Sequence, residues 1–90
     1  MHRSARWKKI LDLEVQRWSA LGWEDLASRL RELQAYEVEM DSRRYNVEVQ
    51  LLEDTARYVH VLVAVDDGTL PWALFPSTHS FIVHKKAPDL

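Results

Sequence analysis

Ninety residues suffice for one domain with one modest core. The apolar fraction of 47% and the charged fraction of 29% are those of a globular chain, which excludes wholesale disorder. There is no cysteine, so disulfides and thiolate metal sites are excluded, and a formal net charge of −2 argues against non-specific nucleic-acid binding.

The start of the chain is basic, with Arg3, Arg6, Lys8 and Lys9 close together. The plain reading of that cluster is a solvated helix start. Asp12, Glu14, Gln16 and Arg17 break up the next stretch, so no signal-peptide apolar region is expected. No run of about 18 apolar residues occurs. The expectation is a cytoplasmic protein that does not enter the membrane, and the missing cysteines fit a reducing compartment.

Ser4 is placed to cap a first helix. Trp7, Ile10, Leu11, Trp18 and Leu21 then form one stripe at helical spacing. Gly22 is the expected stop, in a left-handed conformation. Trp23, Leu26, Ala27, Leu30 and Leu33 predict a second, shorter helix, with Glu24 and Asp25 favourable in its first turn. One bent helix across Gly22 is the alternative, since a helical glycine costs only about 1 kcal/mol.

Near residue 35 the apolar period changes from helical to two. Tyr36, Val38 and Met40 form a first strand. The polar turn Asp41-Ser42-Arg43-Arg44 leads to Tyr45, Val47, Val49 and Leu51. After a turn at residues 53–56, the strand from Arg57 to Val65 carries Val59, Val61, Val63 and Val65 on one face. Asp66-Asp67-Gly68-Thr69 is a turn with Gly68 at positive φ. Trp72 to Phe75, between Pro71 and Pro76, is expected as a short edge strand. Residues 76–79 are expected as a turn, Phe81 to His84 as the last strand, and residues 86–90 as a tail.

The fold class is therefore α+β, in a single domain spanning 1–90. Residues 1–34 form a helix pair, or one bent helix, on one face of an antiparallel meander of four or five strands over residues 35–85.

Matching the valine faces favours Val49 opposite Val59, Met40 opposite Tyr45, and a lateral outer row of Glu37, Glu48 and His60. Two carboxylates beside an imidazole are the residue types that hold a divalent metal or run acid–base chemistry. The plainer reading is a solvated face with one Glu–His pair. The outward residues of the valine strand, Tyr58, His60, Leu62 and Ala64, are too apolar for a fully wetted face. Glu37, Glu48, Tyr58, His60 and Leu62 are thus the candidate binding residues, and a homodimer is the simplest cover.

Other patterns carry less. His79 and His84 read as surface histidines, Asp66-Asp67-Gly68 as a β-turn rather than a calcium loop, and Ser77, Thr78 and Ser80 as turn hydroxyls. The tryptophans at 7, 18 and 23 read as core anchors. Two glycines allow no phosphate-binding loop. No metal and no cofactor is expected, and no motif names a reaction.

The words Tyr45-Asn-Val-Glu-Val-Gln-Leu-Leu-Glu53, Tyr58-Val-His-Val61, Val65-Asp-Asp-Gly68 and Pro76-Ser-Thr-His-Ser-Phe-Ile82 resemble a family of small uncharacterised bacterial proteins. Some of these are carried on mobile integron gene cassettes. The resemblance covers about half the chain. It implies a compact cytosolic α+β protein that forms oligomers, and it transfers no catalytic residue. Three functions remain open on the sequence. They are a binding protein that self-associates through the outer sheet face, a small-ligand binder with a Trp/Tyr-lined pocket, and an enzyme or metal-binding protein using Glu37, Glu48 and His60.

Overall fold

The valine-rich segment forms the centre of the molecule, because β-branched side chains suit a pleated surface that is packed over. In the computed structural model, which describes residues 3–69 and 76–85, it is the third of four strands. The elements are α1 (Arg3–Ser19), α2 (Trp23–Arg29), β1 (Gln34–Met40), β2 (Arg43–Asp54), β3 (Tyr58–Asp66) and β4 (Ser77–His84). The strands pair antiparallel in the order β1-β2-β3-β4, so the chain is an α+β fold with a meander sheet. No helix among the described residues is long and apolar enough to cross a membrane.

Both helices lie on one sheet face, α1 over β3 and β4, and α2 over β2 and β3. Val47, Val49, Val59, Val61, Val63 and Val65 are completely buried beneath them. Trp7, Ile10, Leu11, Leu26, Leu30 and Tyr45 complete the core. Each fully buried aliphatic side chain contributes about 1.5–3 kcal/mol before the entropy of ordering it is subtracted.

The helix pair differs in detail from the sequence expectation. α1 ends at Ser19, with Leu21 donating to the Trp18 carbonyl at 3.1 Å. Gly22 is not a left-handed stop. Its φ of −70° and ψ of 162° make it the extended residue that opens α2, and its carbonyl accepts the Leu26 amide at 3.1 Å. α2 ends at Arg29, so Leu33 lies beyond it and is exposed, while Leu30 at the cap stays buried.

Both hairpin turns are tighter than the polar residues suggest. Asp41 and Ser42 alone form the first loop, at φ of 54° and 63°. This is the positive-φ pair that a two-residue hairpin needs, and it sets Met40 opposite Arg43 rather than Tyr45. At the second turn, Thr55 Oγ1 accepts the amides of Arg57 and Tyr58, both at 3.1 Å. The Thr55 amide donates to the Tyr58 carbonyl at 2.9 Å. β2 therefore runs on to Asp54, and Val49 pairs with Val63 rather than Val59. The slip of four is even, so every side chain keeps its predicted face. A β-bulge absorbs one residue between Leu51, which pairs with Val61, and Glu53, which pairs with His60.

Gly68 does take positive φ, at 81°. Ser77 to His79 belong to β4 rather than to a turn. The expected strand at 72–75 lies outside the described residues.

Candidate functional site

The tighter register removes His60 from the predicted row of Glu37, Glu48 and His60. Glu37 stands opposite Asn46, and its carboxylate lies 3.9 Å from Arg44. Glu48 stands between Ala35 and Ala64. His60 stands between Glu53 and Ile82. Ala64 and His60 are four positions apart on β3, about 13 Å along the strand. The register therefore places His60 away from Glu37 and Glu48, which stay diagonal neighbours on β1 and β2 and line one shallow hollow. Among the described residues no group of three or more His, Asp or Glu side chains is placed to hold a metal ion. His79 and His84 lie on opposite faces of β4, pairing with inward Val63 and outward Tyr58 respectively.

What the structure brings together instead is a cluster at the far end of the outer face. The Tyr58 hydroxyl donates to Glu53 Oε1 at 3.2 Å. His60 Nδ1 lies 3.6 Å from the same oxygen, an ion pair when the imidazole is protonated. The Glu53 charge, and then its hydrogen bond, raise the Tyr58 phenol above its ordinary pKa. The His84 ring meets Tyr58 edge-on, with centroids 6.4 Å apart. Leu62 and Ala64 continue the column along β3, flanked by Gln50 and Ser80, and by Glu48 and Thr78. Ile82 beside His60 is 48% exposed. The predicted residues Tyr58, His60 and Leu62 thus share one surface, whereas Glu37 and Glu48 lie away from its centre.

A second polar cluster is buried on the helix side. Glu14 is 6% exposed, although it is a carboxylate. It accepts a short hydrogen bond from the Tyr36 hydroxyl, which accepts the Trp18 indole N–H at 2.8 Å. The Arg17 guanidinium lies 3.4 Å from Glu14. Burial, followed by the hydrogen bond to Glu14, pushes the Tyr36 phenol up to about 12. The sequence carries a signal for this cluster that hydropathy alone overlooks. The apolar stripe of α1 passes from Leu11 to Trp18, and Glu14 occupies the place of a stripe member.

An open groove of about 630 Å³ runs between α2 and β2, with Trp23, Ala27, Arg31, Leu51 and Asp54 among its lining residues. At its end the Lys85 ammonium lies 2.7 Å from Asp54 and 4.5 Å from the Trp23 ring centre. The groove has an aromatic wall and paired charges, but no tyrosine among its described lining residues. The carboxylates of Asp66, at the end of β3, and of Asp67 are engaged locally. Asp66 accepts the Gly68 amide at 2.7 Å and the Asn46 side chain at 3.1 Å, and Asp67 accepts the Thr69 amide at 3.0 Å. These bonds shape a bend at Gly68 closed by aspartate side chains rather than by a backbone hydrogen bond.

Comparison of the chain with protein-family models, curated proteins and solved structures gave no match.

Proposed function

We propose that this chain is a binding protein that self-associates as a homodimer through the outer face of its sheet. The half-exposed Tyr58 and Leu62 on β3, with the exposed Ile82 beside them on β4, carry this reading. They lie on the face opposite both helices, and no described helix packs over them. Apolar surface of this kind on a sheet face marks a contact site. Two-fold self-association is the commonest way soluble chains cover one. The resemblance to small bacterial α+β proteins belongs to the same proposal, as does a cytoplasmic location.

Sedimentation velocity at micromolar concentration tests it. The native chain should run larger than a monomer. Leu62→Glu, which puts a carboxylate into the middle of this apolar face, should shift it to a smaller species. A native chain that is monomeric at every accessible concentration sinks the reading.

The groove at Trp23 supports a second reading, a small-ligand binder. Concave sites with an aromatic wall and a few placed charges are the usual form of such a site. A thermal-shift screen separates the two readings. A ligand at 100 times its dissociation constant adds about 2.7 kcal/mol of stability, and Trp23→Ala should abolish that gain.

A further inference from the structure

Among the described residues the edges of the sheet are β1 and β4, and they are built differently. β1 carries Glu37 and Glu39. Paired with its own copy about a two-fold axis in full overlap, it would set Glu37 against Glu37. Charges on an edge strand are a standard guard against such pairing. β4, from Ser77 to His84, has no Asp, Glu, Lys or Arg, no proline and no bulge.

The backbone of β4 shows which groups face outward. The Lys85 amide donates to the Arg57 carbonyl at 2.7 Å, so this residue is hydrogen-bonded toward β3. Across the second turn, the Tyr58 carbonyl points away from β4, toward Thr55. Bonding alternates along an antiparallel strand. It follows that Val83, Phe81 and His79 bond to β3, while the amides and carbonyls of Thr78, Ser80, Ile82 and His84 point out of the sheet. No strand among the described residues pairs with them.

We infer that β4 is a pairing edge for β4 of a second copy, joining the two sheets into one continuous sheet. A two-fold axis normal to the sheet keeps each side chain on its own face, so only registers centred on a residue are allowed. The axis at Phe81 uses every outward group. Ser80 then forms a hydrogen-bonded pair with Ile82 of the second copy, and Thr78 with His84. Phe81, half-buried on the helix side, meets its own copy in a non-hydrogen-bonded position, where side chains approach most closely. No carboxylate or ammonium faces its like. An axis at Ser80 would set His84 against Pro76, which has no amide to give.

Edge and face are separate surfaces, so this inference does not depend on the face dimer. The experiment crosses Ser80→Pro with Leu62→Glu and reads mass by sedimentation equilibrium. Proline at Ser80 removes an outward donor and no bond to β3, a position edge strands tolerate. Leu62 lies on an interior strand and leaves the edge intact. A dimer that survives Leu62→Glu and becomes monomeric with Ser80→Pro supports the edge. A chain made monomeric by Leu62→Glu alone overturns it while leaving the face reading standing. A chain made monomeric by Ser80→Pro alone upholds the edge and overturns the face reading.

Hydrogen exchange on the native chain needs no variant. Amides of Ser80 and Ile82 should exchange on the order of tenfold faster once dilution yields monomer. Protection that persists in the monomer would place another segment of this chain on the edge, and the inference would fall. Rapid exchange at high concentration would have the same effect.

Discussion

Two tyrosines in this molecule donate to glutamates, one on each side of the sheet. Tyr36 reaches Glu14 beneath α1, and Tyr58 reaches Glu53 on the open face. The chemistry is the same and the surroundings are not. Glu14 is 6% exposed and also has Arg17 beside it, while the Glu53 side chain is half exposed. A buried carboxylate without its donor bears a desolvation cost that a wetted one recovers from water. The inner pair is therefore tied to folding, and the outer pair is available for contact.

The sharpest way to break this contrast is Tyr36→Phe. It keeps the ring but takes the donor from Glu14, and should cost about 1–3 kcal/mol in urea unfolding. A loss indistinguishable from zero would mean that Glu14 finds water or Arg17 instead. The alkaline limb comes next. A phenol held at about 12 in the folded chain, against 10.0 ordinarily, keeps its proton after the unfolded chain has lost it. Folding is then favoured below pH 10 and loses that contribution as pH rises from 10 toward 12. Tyr36→Phe should flatten this limb, and the absorbance titration of the native chain should lose its latest step in that variant.

The smaller effects belong to the outer face. Leu62→Glu should change association while moving the unfolding midpoint of the dilute monomer little, because the face is not the core. Tyr58→Phe is the mildest. It should leave the urea midpoint unchanged and remove only the Tyr58 contribution to the alkaline titration. If it destabilised the chain as much as Tyr36→Phe does, the distinction between the two pairs would be lost.

The two faces also differ in how legible they are in the sequence. Inward residues are legible because period two is robust. A four-residue slip leaves Val59, Val61, Val63 and Val65 buried. The outer row is not legible, because cross-strand neighbours depend on the absolute register. That is decided by a φ-positive pair at Asp41 and Ser42 and by Thr55 gathering two amides. Polar composition shows that a turn exists, not where it pivots. Tyr58, His60 and Leu62 can be grouped in advance because they share one strand. Glu53 escapes the grouping because its polar neighbours make it look like part of the turn.

The bulge after Leu51 has a consequence of its own. Leu51 faces the helices with Val61, and Glu53 faces outward with His60, although residues two apart ordinarily share a side. Leu52 is thus a supernumerary link, 44% exposed and used by no rung of the ladder. Shortening a strand by one normally inverts everything beyond the cut. Excising Leu52 would instead leave Glu53 with His60 and Asp54 with Lys85, making this the one place in β2 where the gene could lose a codon and keep the pattern.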